Sequence, residues 1–403
     1  MTTRWSLEKR IAFRFAFLFA ALHIVPFPLG VIPGTGWLAR ILQQPWEWGV
    51  AWTARAILRI PEPAHVNNGS GDSTWHYVHL VLVALLAIAG TIGWSVLDRK
   101  RASYARLADA TLVVLRYYLG FILLLYGVSK LFEIQFTLPT PTRLDGRIGD
   151  MSPMGMLWTF MGSSRPYTVF GGALEIIPGL LLLSRRTAML GAVAAIAVLT
   201  NIVALNFSYD VPVKLFSLEL LAYASAIALP QAFRLLVAAL GYPVPEVAPR
   251  VRMAPSSERA RRFARFALLG SFAFVVSSRA LDGDRRPAPG PLHGIWQVES
   301  FVVDGEPRAP RLDDPVRWRK LVVSRGFVTI RWMSDVRTYY RAEIDATTIR
   351  IGGDLLRYAR SDDRLVLDGR YQDRELHATL RLEPEPLLTS RGFHWINDEP
   401  FNR

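Results

Sequence analysis

The chain has no cysteine in its 403 residues. Disulfides, thiolate metal sites and a cysteine nucleophile are therefore excluded, while the compartment of any soluble part stays open. Lysine is nearly as scarce. Lys9, Lys100, Lys130, Lys214 and Lys320 are the only five, so the formal charge of +13 rests almost wholly on arginine, a bias that fits a GC-rich genome better than a particular chemistry. No P-loop, Rossmann glycine fingerprint, nucleophile elbow or HExxH helix occurs, which argues against soluble-nucleotide chemistry. The basic residues form no patch interleaved with aromatics, so no nucleic-acid partner is expected.

Apolar residues make up 51% of the chain and collect in blocks before about residue 280. Several blocks hold roughly 18 to 22 residues with few charges, the length that crosses a hydrocarbon core of about 30 Å. The first, from about Ile11 to Val31, follows Arg4, Lys9 and Arg10 and ends among Pro26, Pro28 and Pro33 without a small-residue cleavage site. It reads as a retained span with Arg14 snorkelling inward. The tryptophan-rich stretch WLARILQQPWEWGVAWTARAIL reads as an interfacial helix or loop at headgroup depth. Further spans are expected over His76 to Leu97, Thr111 to Phe132, Tyr167 to Ser184, Thr187 to Phe207, Val213 to Leu229 and Phe263 to Ser278, giving about seven transmembrane helices.

Basic clusters fall after the second, fourth and sixth of these: Arg99 to Arg101 with Arg106, then Arg185 and Arg186, then the arginines between Arg250 and Arg265. The positive-inside rule makes those loops and the N-terminus cytoplasmic, and seven crossings leave the C-terminus outside a bacterial inner membrane. Without the seventh span, the last domain would be cytoplasmic.

From about Pro291 the pattern changes to short alternating runs between turn residues, such as IWQVESFVV before Asp304-Gly305 and RLVL before Asp368-Gly369. Period two with these signals predicts an antiparallel β-barrel of about eight strands. Gly294-Ile295-Trp296 on the first strand and Arg381 on the last resemble the lipocalin-like closure, in which an arginine packs over a tryptophan. The plain alternative is a tryptophan anchoring an ordinary β core. His293, His377 and His394 are too scattered for a metal site. The barrel interior is expected either to hold one apolar ligand or to be filled by side chains.

Ionisable residues inside spans carry most functional information, because a charge at a helix centre costs roughly 2.5 to 3.5 kcal/mol on insertion scales. Glu175 and Glu219 sit within spans, Lys130 and Glu133 end the third, Asn201 and Asn206 lie late in the fifth, and Asp210 and Lys214 bracket a tight turn. With His23, His76 and His79, all are expected in the outer half of the membrane and within reach of one pocket that binds a polar head group or relays protons. The competing reading pairs Lys130 and Lys214 with Glu133, Glu175 or Glu219 only to neutralise buried charge and join helices. His76 and His79 admit a haem or metal reading, though interfacial histidines without a ligand are commoner. The long segment from Glu133 to Arg165 is expected either as a lid across that pocket, with Asp145, Asp150, Arg143, Arg147 and Arg165 as polar contacts, or as a plain structured loop.

The third span, RYYLGFILLLYGVSKLFEIQF, and the following GGALEIIPGLLLLSRRTAMLGA, with its Gly-x-x-x-Glu helix and basic turn, resemble the DoxX-like membrane proteins. The likeness covers about residues 111 to 230. It implies a four-helix membrane unit and membrane oxidoreduction with a quinone, and it nominates Arg116, Gly127, Lys130 and Glu175. The expected organisation is 1–110, N-terminal spans with the interfacial segment; 111–230, the DoxX-like four-helix unit; 231–289, a basic linker and last span; and 290–403, an extracytoplasmic β-barrel. Three functions follow as expectations. The first is a redox-associated subunit binding a quinone or similar carrier, with Glu175 and Lys130 catalytic and Arg116, Tyr126, Glu133, Asn206, Asp210, Lys214 and Glu219 binding the ligand. The second is a non-enzymatic protein passing a lipophilic ligand or lipid between bundle and barrel. The third is a scaffold whose external barrel holds a protein partner.

Overall fold

A computed structural model describes residues 4–243 except 28, 31, 33 and 67, scattered positions between 262 and 278, and residues 290–399 except 397. The helices are α1 Leu7–Ile24, α2 Gly36–Trp52, α3 Thr74–Leu97, α4 Ala105–Leu131, α5 Pro141–Leu144, α6 Pro153–Ser163, α7 Arg165–Leu183, α8 Ala188–Ser208 and α9 Lys214–Ala239. Local chemistry explains several of their starts. Ser6, Thr140 and Ser152 each accept a backbone N–H of the first turn, and proline follows directly at the first position of α5 and α6, where its missing N–H costs no hydrogen bond.

Among the described residues, five helices are long and apolar enough to cross a membrane: α3, α4, α7, α8 and the Lys214–Ala232 part of α9. α1 is not one of them. It stops at Ile24, short of the expected Val31, and its 18 residues include Glu8, Lys9, Arg10 and Arg14. The expected seventh span lies mostly outside the described residues. The tryptophan-rich stretch is helical throughout, α2 running into a π turn over Thr53–Leu58, with Trp37, Trp48 and Trp52 exposed.

The chain divides into two compact units, Met1–Gln135 with Pro166–Leu281, and Phe136–Arg165 with Asp282–Arg403. In the helical unit, α4 and α7 cross closely enough that a Cβ at Gly127 would lie 2.7 Å from the Gly172 carbonyl oxygen, and one at Gly172 equally close to that of Gly127. Only glycine permits this approach, a common way of packing helices where lipid removes the hydrophobic drive. Arg14 does not snorkel. It is 1% exposed, donating to Tyr104 Oη, Ser95 Oγ and the Asp98 carbonyl, because three acceptors on and beyond α3 satisfy the guanidinium inside the unit.

The second unit is built on β1 Gly294–Val303, β2 Glu306–Pro307, β3 Trp318–Ser324, β4 Phe327–Trp332, β5 Arg337–Ile344, β6 Thr348–Ile351, β7 Asp354–Ser361, β8 Arg364–Tyr371 and β9 Arg374–Leu382. From β3 to β9 each strand pairs antiparallel with the next, β3 pairs with β1, and β9 returns to β1 with Trp296 opposite Leu382 and Val303 opposite Leu376. The result is a closed barrel of eight strands, β2 being a short arm on β1. Its interior is filled: Trp296, Trp318, Leu321, Val328, Ile330, Ile349, Leu356, Leu365, Leu367 and Leu380 are wholly buried in one cluster.

The arginine over Trp296 is not Arg381. Period-two alternation turns Leu380 inward and leaves Arg381 60% exposed, paired with Asp363, while Arg360 of β7 lies over the Trp296 ring at 5.3 Å and donates to the Pro291 carbonyl. Register, not residue type, selects the closing arginine.

Segment 136–165 belongs with the barrel rather than with the 111–230 helices, and it lies on the outside of β3, β4 and β5. Thr142 Oγ1 is 2.9 Å from Ser324 Oγ. The Asp145 carboxylate, 4% exposed, accepts from Lys320 Nζ and Arg331 Nη1 and lies 3.6 Å from Arg337 Nη2. Arg147 donates to Asp335, which also receives Arg319 and Arg331. Burial alone would raise the Asp335 pKa, but the Arg331 hydrogen bond and the charges of Arg331, Arg319 and Arg147 outweigh it and hold it below the usual carboxylate range. The expected polar contacts of Asp145 and Arg147 are thus made to the barrel wall.

Candidate functional site

Lys130 ends α4 and Glu175 lies midway along α7, and the glycine-mediated crossing brings them together. Lys130 Nζ donates to Glu175 Oε2 at 2.6 Å, with the carboxylate side chain 4% exposed. Tyr126, one turn before Lys130, has its ring 5.7 Å from the ammonium. Such a pair gains little net stability from being buried, yet removing either partner strands a charge. Close backbone packing at Gly127 and Gly172 surrounds it.

Glu219 does not join that pair. It lies on the second turn of α9 and meets His23 on the last turn of α1, Nε2 to Oε2 at 2.8 Å. Tyr223 follows Glu219 by one turn. Around this couple, His23 Nδ1, Glu219 Oε1 and Tyr223 Oη are all buried and lack a hydrogen-bond partner among the described residues. Tyr118 of α4 packs edge-on against Tyr223 with ring centres 5.9 Å apart. Between the two carboxylates stand tyrosines: Tyr126 lies within electrostatic range of Glu175, and Tyr118 within range of both Tyr126 and Glu219.

The remaining nominated residues divide by position. Asp72, in the loop before α3, accepts from the backbone N–H of Lys214 and Leu215 at 2.8 and 2.9 Å and so caps α9. Lys214 Nζ lies 3.8 Å from Asp72 and donates to Asp210, which is 81% exposed on the turn before α9. These three form a rim of caps and surface pairing. Asn206 is 6% exposed and its amide nitrogen has no hydrogen-bond partner among the described residues. Glu133 takes a left-handed conformation just past α4, its N–H donating to the Lys130 carbonyl. Arg116 belongs elsewhere. It donates to the Leu182 and Leu183 carbonyls at the C-terminus of α7, where cations satisfy orphaned acceptors, roughly 21 Å along α4 from Lys130 at 1.5 Å per residue.

Tyr118 and Tyr223 are the residues that sequence reading did not place in the site, whereas His23 was expected within reach of it but not as the partner of Glu219. His23 carried a usable signal, as an imidazole within an apolar helix at the same membrane end as Glu219. Among the described residues no group of three His, Asp or Glu side chains is placed to hold a metal ion at His76 and His79. His76 Nδ1 instead lies 2.7 Å from Ser73 Oγ.

Fold and site together define a helical protein with five membrane-competent helices and a closed eight-stranded antiparallel barrel. The chain is 37% identical over 99 residues to the uncharacterized protein YwoB of Bacillus subtilis (strain 168), an alignment covering 25% of this chain and 62% of that protein. No family model matches the chain, and no solved structure matches it significantly.

Proposed function

We propose that the helical unit binds a quinone-class lipophilic carrier at the His23–Glu219 couple and exchanges protons with it, as a redox-associated subunit of the DoxX-like kind in the bacterial cytoplasmic membrane. The observation that carries this reading is the trio of buried, unpartnered polar atoms at that couple, each of which costs about 1 to 3 kcal/mol if left unmet. A quinone offers carbonyl oxygens to the tyrosine hydroxyl, and its hydroquinone offers hydroxyls to the carboxylate oxygen. His23 Nδ1 serves either form, according to tautomer. The head group needs apolar surroundings, and Phe27, just past α1, packs with Tyr118 and Phe121 of α4 to supply them. On this reading Lys130 and Glu175 position α4 and α7 and tune the site electrostatically through Tyr126 and Tyr118.

The topology that goes with this reading has seven crossings, α1 first and the stretch around 263–278 last, with the barrel outside. One physical argument supports it. Segment 136–165 and the barrel form one compact unit, so they share a side of the membrane, yet α7, α8 and α9 are three crossings between them. A fourth is needed to bring the chain back. The filled barrel interior speaks against a ligand carried there and fits an external domain that holds a protein partner on its outer wall.

The test is to purify the full-length protein from membranes in mild detergent and quantify co-extracted quinone. Near-stoichiometric quinone is expected in the native chain, with loss in Glu219→Gln at unchanged thermal stability. Absence of quinone, or equal amounts in both proteins, would refute the proposal.

A further inference from the structure

Four of the chain's seven histidines gather at one end of the helical unit. His65 is exposed in the loop before α3, and its ring stacks on Trp75 at 4.1 Å and 12° and lies 6.2 Å from His76. Trp75 stacks in turn on His79 at 5.1 Å and 7°, and Trp46 of α2 braces His79 edge-on at 5.0 Å. His79 lies 5.8 Å from His23, which contacts Glu219. A continuous line of rings therefore runs from an exposed imidazole to a buried carboxylate.

We infer that His65, His76, His79 and His23 form a proton-entry path from the solvent-exposed end of the helical unit to Glu219; the inference rests on the reading of Glu219 as the proton-exchanging group. Imidazole takes up a proton on one nitrogen and releases one from the other near neutral pH, which no other side chain does unperturbed. The ring centres of His65 and His76, and of His79 and His23, lie about 6 Å apart, which puts the nitrogens of each pair within reach directly or through one water, and His76 and His79 stand three residues apart on neighbouring turns of α3. The indoles of Trp75 and Trp46 exchange no protons and serve as walls that hold the imidazoles in order. Packing alone would be met as well by phenylalanine, and imidazoles withdrawn from water, as His23 is, carry a desolvation cost that packing does not offset.

Charged and titratable groups lie on every side of the path. Glu47 of α2 lies 3.9 Å from His65, and Asp72 sits beside His76. Lys214 of α9 is neutralised by Asp72 and Asp210, with Tyr77 in electrostatic range. At the inner end Glu219 of α9 contacts His23, and Tyr223 of α9 and Tyr118 of α4 lie within electrostatic range of Glu219.

The test uses the full-length protein in lipid bilayers, with infrared spectroscopy following the carboxyl band that Glu219→Gln removes after a step in external pH. His79→Phe keeps a ring against Trp75 and removes both nitrogens. The band's response should slow by about a hundredfold, the low end of what a positioned proton-transfer group contributes, and added imidazole should restore it. A rescue of this kind separates relay from support. His65→Phe, at the exposed end, supplies the same test without disturbing the interior. Unchanged rates in both variants would overturn the path while leaving quinone binding intact; a Glu219 band that never responds to pH overturns both. Lost quinone with native proton rates overturns only the carrier.

Discussion

In the helical unit, charged groups lie between helices and meet in lean pairs, Lys130 with Glu175 and His23 with Glu219. In the barrel unit they lie outside the wall, under segment 136–165, and form a web in which Asp145 and Asp335 each face three cations. The unpartnered atoms differ in the same way. In the barrel several are single Nε atoms of arginines whose other nitrogens are bonded, such as Arg317 and Arg337, whereas at Glu219 three neighbouring side chains each keep an open atom. A web with every member engaged rigidifies, and an incomplete cluster leaves capacity for a ligand or a proton. The barrel unit thus uses buried polarity to hold two chain segments together, and the helical unit holds some in reserve.

The largest expected effect tests the lean pairs. Lys130→Met should destabilise the helical unit by about 3 to 5 kcal/mol, because Glu175 is left as a stranded charge, while Lys130→Met with Glu175→Met should recover most of the loss. Denaturant unfolding in micelles measures both. Equal losses in single and double variants would show that the two side chains are not coupled and would erase the contrast with the barrel.

A smaller effect tests the web. Asp335 is held ionised in the fold, so its contribution is fully present above the unfolded carboxylate value near 3.9 and is lost as pH falls through the lower folded value. Below about pH 4 the contact between Arg147 and Asp335 should weaken, and pepsin should cut within 136–165 before the near-ultraviolet signal of the barrel tryptophans changes. Simultaneous loss of both would mean that the segment and the barrel unfold as one.

The smallest effect concerns the barrel's end. Arg381→Gln should change barrel stability by no more than about 0.5 kcal/mol, as expected for an exposed ion pair. Arg360→Gln should cost about 1 to 2 kcal/mol through loss of the Trp296 stacking and the Pro291 hydrogen bond. A reversal of that order, by thermal unfolding of the full chain, would restore Arg381 to the closing role.

Much of the architecture was legible before any coordinates. The apolar blocks placed α3, α4, α7, α8 and the start of α9 within a few residues, because membrane crossing sets length and composition locally. Alternation gave the barrel, since period two marks each strand independently of its partners. The reading of 11–31 as one apolar block overran, because proline ends α1 before the block does. Glu175 and Lys130 were recognisable as site residues, but their pairing was one of several that Lys130 and Lys214 could make with Glu133, Glu175 or Glu219. Arg116 was nominated with them by resemblance and belongs to the opposite end of α7.

By itself, the sequence determined what each segment is: apolar stretches of membrane-crossing length, a tryptophan-rich amphipathic segment, alternating strands, and a few charges where charge is expensive. Those properties depend on neighbours within a turn or a strand, so they can be read in order along the chain. Only tertiary structure decided which distant groups meet. His23 finds Glu219 across 196 positions, Arg360 rather than Arg381 reaches Trp296, and Asp145 docks on strands nearly two hundred residues away. Such pairings follow from helix rotation, strand register and loop docking, which are set by the packing of the whole unit rather than by any local pattern.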